Sequence, residues 1–186
     1  MRRSVWGKPV RFPRFAAIVI TLAAVAVITL AVNWLRPAPS PLSGRAEAVD
    51  GDTLRIGPTR IRLTGLDAPE LDQTCSTSAG EWNCGSEARA FLAALVDHRM
   101  TNCAPSGRDC YGRTLARCDV AADDLGAQIV AAGWAVIDFD YGPEQAASRA
   151  ARRGIWAGDF ISPAEWRRTR GAGEPGLWEW LRSWLQ

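Results

Sequence analysis

Three short runs set carboxylates and arginines at spacings that suit work on a phosphate. "VDGDT" places Asp50 and Asp52 on either side of Gly51, at the entrance to a strand. "RLTGLDAPE" carries Arg62, Asp67 and Glu70 across the end of an alternating segment. Pro69 lacks an N–H and fixes its own φ, which stiffens the turn that holds Glu70. "DCYGRTLA" adds Tyr111 and Arg113. Each run alone has an ordinary explanation. Asp-Gly is a common turn, two acids around Ala-Pro can be solvated, and Tyr-Gly-Arg suits an exposed hairpin tip. Together they supply the parts of a phosphodiester hydrolysis. Guanidiniums donate hydrogen bonds of fixed geometry to phosphate oxygens. Two carboxylates, Asp52 and Asp67, can share a hard cation whose shell is completed by backbone carbonyls and waters. Such a cation neutralises charge and binds the attacking water. A carboxylate within about 3 Å of that water takes its proton.

The elements that must position these residues follow from patterning. "TLRI" and "RIRLTG" alternate like strands and are broken at Gly57-Pro58. "SEARAFLAALV" has one apolar stripe and reads as a helix, with Ser86 as its cap. "RMTNCA" and "RTLARC" read as two strands with a turn between them. "AADDLGAQIVAAG" is a second helix ending at Gly133, "WAVIDFDY" a strand, and "GPEQAASRAARRG" a third helix between Pro143 and Gly154. This order lacks the regular alternation of a parallel α/β sheet. It predicts an α+β fold, a small five-stranded β-barrel with three helices packed on it. A barrel can bring the start of one strand, carrying Asp52, beside the end of another, carrying Asp67.

The chain resembles the staphylococcal nuclease-like (thermonuclease) family. "DGDT" at 50–53, "RLTGLDAPE" at 62–70 and "DCYGRTLA" at 109–116 match in order, and the likeness continues through "IVAAGWAVIDFDY" and "AARRGIWAGDF". It covers about residues 45–168. The resemblance implies an OB-like barrel and a Ca²⁺-dependent endonuclease acting on DNA or RNA. It implies that Asp52 and Asp67 bind the calcium with the carbonyl of Ala68, where the family often has Thr. Glu70 corresponds to the general base, Arg62 and Arg113 to the phosphate-binding pair, and Tyr111 and Tyr141 to residues lining the nucleotide site. Cys110 and Phe139 depart from the family pattern, which touches substrate affinity more than chemistry. The rival reading is a non-catalytic nucleic-acid-binding or protein-scaffolding barrel at the cell envelope, because the same barrel serves pure binding.

The ends of the chain suggest where this chemistry takes place. Of 186 residues, the first 36 hold six basic residues and no acid, while the other 150 hold 16 arginines and 20 acids. The domain is therefore not basic throughout, and any anion site in it must be local. "AAIVITLAAVAVITLAVNWL", 16–35, is uncharged over a length that spans about 30 Å as a helix. Five basic residues precede it and only Arg36 follows closely, which predicts a single-pass anchor with the domain outside the cytoplasm. A cleaved signal peptide is the alternative. The expected organisation is a basic N-terminus and transmembrane anchor over 1–36, a Pro-rich tether over 37–44, the barrel over 45–170 and a Trp-rich tail over 171–186. That tail has an apolar face suited to a membrane interface, to another protein or to its own domain. A monomer is expected. Export suits disulfides. Cys103 and Cys118 flank a hairpin-like segment and Cys75 and Cys84 bracket a polar loop, so these pairs are expected to bridge and Cys110 to remain a thiol. No C-x-x-C or histidine pattern supports a zinc cluster, and His98 reads as an exposed helix-end residue.

Overall fold

The computed structural model describes residues 14–35 and 40–170. The chain forms two compact units, Met1–Ala38 and Pro39–Gln186. In the first, α1 (Arg14–Leu35) is a helix of 22 residues with exposed apolar side chains, Leu22 and Leu30 among them. Among the described residues no helix is long and apolar enough to cross a membrane. The transmembrane helix expected from the sequence is therefore not found among the described residues. The basic leader before Arg14 and the Trp-rich tail from 171 onwards lie outside them.

The second unit runs β1 (Leu42–Ala48), β2 (Thr53–Ile56), β3 (Thr59–Leu63), β4 (Leu66–Asp67), β5 (Cys75–Thr77), β6 (Gly80–Trp82), α2 (Cys84–Val96), β7 (Met100–Arg108), β8 (Thr114–Val120), β9 (Asp123–Asp124), α3 (Leu125–Ala131), β10 (Val136–Ile137), α4 (Gly142–Ala150), a 3₁₀ turn (Gly154–Ala157) and α5 (Pro163–Thr169). The strand order is β3-β2-β1-β7-β8-β9, and β3 also pairs with β8. Five strands thus close into the expected barrel. The closing joint is parallel, with Arg62 opposite Leu115, while the other joints of the barrel are antiparallel. The ladder begins earlier than Arg45, because Leu42 already pairs with Cys103.

Leu54, Ile61, Leu63, Leu66, Ala116 and Val120 line the inside of the strands, and Leu92, Leu125, Ile129 and Val130 close over them from the helices. Strand alternation supplies the first set and helical periodicity the second. A smaller apolar cluster gathers Ile155, Trp82 and Trp156 around Cys75 and Cys84. Both expected disulfides form, Cys75–Cys84 and Cys103–Cys118, and Cys110 is an exposed thiol. His98 is exposed just beyond α2.

Two expectations about the helices need correction. The cap of α2 is Asn83, not Ser86. Its side-chain oxygen accepts from the Ser86 N–H at 2.8 Å, so Ser86 lies at the third helical position. A further helix, α5, joins the three expected ones. Its seven residues are too few to show periodicity, but "SPAE" held a start signal: Ser162 accepts from the Glu165 N–H and Pro163 begins the first turn.

Candidate active site

Asp52 ends the turn between β1 and β2. Gly51 lets this turn lie against its neighbours, for a Cβ there would stand 2.7 Å from the Ala68 Cβ and 2.9 Å from the Ala88 Cβ. The close approach allows the Ala68 N–H to donate to Asp52 Oδ2 at 3.1 Å. Asp67 closes β4, the two-residue strand that Val136 and Ile137 hold in place. Both carboxylates are 4% exposed. Arg62, on β3, joins them: Nη1 donates to Asp52 Oδ1 at 2.7 Å and Nη2 to Asp67 Oδ1 at 2.8 Å.

Glu70 is set by a buried hub. Gln73, fully buried, accepts the Glu70 N–H on its side-chain oxygen at 3.1 Å and returns its own N–H to the Glu70 carbonyl at 2.8 Å. Gly85 brings the first turn of α2 so close to the Glu70 carbonyl that no Cβ fits there. Arg113 stands at the start of β8. Asp109 holds it in the hairpin tip, accepting from Nε at 2.7 Å and from the backbone N–H at 2.8 Å. Its Nη1 lies 3.5 Å from the Thr53 hydroxyl, which donates to Asp52 Oδ1 at 3.1 Å. The hairpin from β7 to β8 therefore delivers Arg113 to the same corner of the barrel as Asp52.

Burial is the main influence on the Asp52 carboxyl and pushes it up to about 7; Arg62 and the Ala68 N–H pull it down, while Asp50 and Asp67 add to the rise. For Arg62, burial acts to lower the pKa, but Asp52 and Asp67 outweigh it and hold it above the ordinary arginine value. The site is thus a buried cluster of carboxylates bridged by a fixed guanidinium.

The structure brings together Asp52, Arg62, Asp67, Ala68, Glu70 and Arg113. Tyr111 lies at the rim, 60% exposed, with the Arg113 guanidinium 5.5 Å from its ring centroid. Tyr141 joins a separate network. Its hydroxyl donates to Asp124, its ring stands beneath the Arg117 guanidinium, and burial raises its pKa to about 12. One member of the cluster was not anticipated. Arg167, on α5, forks onto both oxygens of Asp67 at 3.0 Å and reaches Glu70 Oε1 at 2.8 Å. Burial alone would lower its pKa, yet its bonds to Asp67 and Glu70 raise it.

As a test of cation fit, the donor set is hard oxygen: two buried carboxylates linked by one guanidinium, with the Ala68 backbone between Asp67 and Glu70. Asp52 and Asp67 lie close enough for one guanidinium to bridge them, a separation that a cation of similar charge can also span. Among the described residues, no three acidic, thiol or imidazole side chains gather into a metal cage. The residues therefore fit a hard cation as a partial shell, with carbonyl and water oxygens supplying the rest.

A closed five-stranded barrel with helices packed on it is the architecture of an OB-like α+β domain. The chain belongs to the staphylococcal nuclease homologue family, whose model matches residues 60–158. That span includes Arg62, Asp67, Glu70 and Arg113 and leaves Asp52 just outside. The chain is 35% identical over 127 residues to the succinoglycan biosynthesis protein ExoI of Rhizobium meliloti (strain 1021), covering 64% of this chain and 66% of that protein. It is 30% identical over 131 residues to an uncharacterized endonuclease of Haemophilus influenzae, covering 64% and 68%. It is also 30% identical over 148 residues to the endonuclease YhcR of Bacillus subtilis, of which it spans only 12%. The chain spans about two thirds of the length of the first two.

Proposed function

We propose that the barrel is a nuclease that hydrolyses phosphodiester bonds of DNA or RNA with the help of a divalent cation, Ca²⁺ by family resemblance. The observation that carries this reading is the Arg62 guanidinium, which links Asp52 and Asp67 at 2.7 and 2.8 Å within the corner reached by Arg113 and Glu70. Family membership and relatives named as endonucleases support the same reading.

In this reading Asp52, Asp67 and the Ala68 carbonyl hold the cation. When bound, it neutralises the charge of the phosphate and lowers the pKa of a water. Arg62 gives two of its five N–H donors to the carboxylates, which orients the rest of the fork toward a phosphate oxygen. Arg113, gripped by Asp109, presents its outer N–H groups from the other side. Charge that grows on the phosphoryl oxygens in the transition state is stabilised by donors already in position. Glu70, fixed at its backbone by Gln73, accepts the proton of the attacking water. Tyr111 supplies a ring at the rim for a base to stack on. A digestion assay with the full chain in mild detergent tests the proposal. Cleavage of DNA or RNA is expected with Ca²⁺ and none in excess chelator; undiminished cleavage in chelator would remove the cation from the mechanism.

We further propose that the domain works as a monomer tethered to a membrane, outside the cytoplasm. The uncharged run 16–35, the helical backbone of α1 and its exposed apolar side chains support the tether. Two disulfides support an oxidising compartment. Protease added to intact spheroplasts should digest the domain and leave a small membrane fragment. A protected domain would refute the topology, and a soluble product beginning near 34–44 would identify a cleaved leader.

A further inference from the structure

Asp67 is crowded with cationic donors. Its Oδ1 accepts from Arg62 and from Arg167, and its Oδ2 accepts from Arg167 again. An ionised carboxylate offers about four lone-pair sites, so three are taken. The Arg167 fork also holds Glu70 Oε1. Both positions on Oδ1 are taken, so a cation that binds Asp67 through that oxygen, or through both oxygens, must displace one of these arginines. Arg62 is embedded in a barrel strand paired on both sides and is held by Asp52 as well. Arg167 sits on a seven-residue helix at the edge of the domain. That helix is attached by its buried first residue, Pro163, by Gln73 donating to the Ile161 carbonyl at 2.8 Å, and by Trp166 and Arg170 bonding to Asp72 at 3.4 and 2.8 Å. The latter two bonds are exposed to water and contribute little rigidity. Arg167 is the arginine that gives way.

A displaced Arg167 does not leave the site. Ile161, a few residues before it, stays tied to the buried Gln73, so the guanidinium remains beside the corner where a phosphodiester would arrive. Its planar fork matches two phosphate oxygens as well as it matches a carboxylate. We propose that Arg167 is a third active-site arginine that exchanges partners. Without a cation it neutralises Asp67 and Glu70. With Asp67 committed to a divalent cation, the fork would be free to hold an oxygen of the substrate phosphate, and Glu70 free to accept a proton. The base thus becomes available only in the loaded site. This inference rests on the nuclease reading above.

The test is calorimetric titration of Ca²⁺ into chelator-treated full chain in mild detergent, comparing wild type, Arg167→Gln, Arg167→Lys and Arg170→Gln. Removing a charge-assisted competitor should tighten Ca²⁺ binding at least about tenfold in Arg167→Gln. Arg167→Lys, which keeps the charge but not the fork, should fall between. Arg170→Gln removes an equal charge one turn away and should change the affinity less than about twofold. In wild type, Ca²⁺ should also speed amide hydrogen exchange over 166–170, and the Arg167→Gln variant should show a raised KM for a DNA oligonucleotide despite its tighter Ca²⁺. Unchanged or weaker Ca²⁺ binding in both Arg167 variants overturns the exchange, as does an equal gain in Arg170→Gln. If wild type cleaves no nucleic acid while Arg167→Gln still binds Ca²⁺ more tightly, the nuclease reading fails and the competition stands. If no variant binds Ca²⁺, both fall.

Discussion

Replacing Asp52 by Asn should stabilise the cation-free protein at pH 8 and have no such effect at pH 4. Burial raises the Asp52 carboxyl from 3.8 to about 7 in the folded chain. The folded state therefore holds that proton more tightly than the unfolded state does. The group favours folding fully below pH 3.8, and this contribution is lost as pH rises through about 7. Above that, the ionised form costs at most ~4 kcal/mol relative to the neutral one. Asn resembles the neutral form: it keeps an oxygen to accept the Ala68 N–H, although its NH₂ faces two donors that Asp52 accepts, Arg62 Nη1 and the Thr53 hydroxyl, of which the hydroxyl can turn to accept instead. A net gain on the order of 1–2 kcal/mol remains after that mismatch. Urea denaturation of the full chain in excess chelator, at pH 4 and pH 8, measures it. Between the two pH values, wild type should lose stability relative to the Asp52→Asn variant. The variant should also lack the stabilisation by Ca²⁺ that wild type shows. Equal destabilisation of Asp52→Asn at both pH values would mean that the bond to Arg62 outweighs desolvation, and the reasoning would be wrong.

Arg62→Lys and Arg113→Lys should each lower kcat at least ~100-fold with a smaller change in KM, since a point charge cannot replace the fork in the transition state; steady-state kinetics on an oligonucleotide decide it. Gly51→Ala should impair cleavage more than folding, because the new Cβ pushes the turn off Ala68 and Ala88 and moves Asp52; Ca²⁺ calorimetry beside a melting curve separates the two. Loss of Cys103–Cys118, which spans 15 residues of sequence, in the double serine variant should cost about 3 kcal/mol of stability, read by denaturant titration against the unreduced wild type.

Much of the site was legible because its parts are local. Asp52 sits in an Asp-Gly turn, and Arg62, Asp67 and Glu70 lie within nine residues on one strand and its exit. The hairpin was legible through its two symmetric cysteines, which lie opposite each other in the ladder. Arg167 was not, because its partner Asp67 is 100 residues away and a short helix of mixed polarity announces no destination. Its arrival depends on Gln73, a buried polar residue whose role is visible only when Glu70 and Ile161 are seen at its two ends. "WAVIDFDY" read as a full strand from its apolar content, but β4 offers a ladder of only two residues, so Val136 and Ile137 alone pair. Tyr141 entered through family resemblance; its bond to Asp124, 17 residues away, shows no sign in the local sequence.

The disulfide between β7 and β8 has a consequence for how the domain can change. Arg113 depends on the register of that hairpin, and a slip by one residue would turn it to the opposite face. Cys103 and Cys118 lock the register well away from the tip. Within the tip Asp109 holds the arginine, Gly112 carries the positive φ of the turn and Tyr111 stands against the guanidinium, so Cys110, exposed there, is the residue relieved of that duty. Position 110 is a place where sequence can be exchanged while Arg113 stays in place, which makes it the natural point of entry for altering the surface beside that arginine.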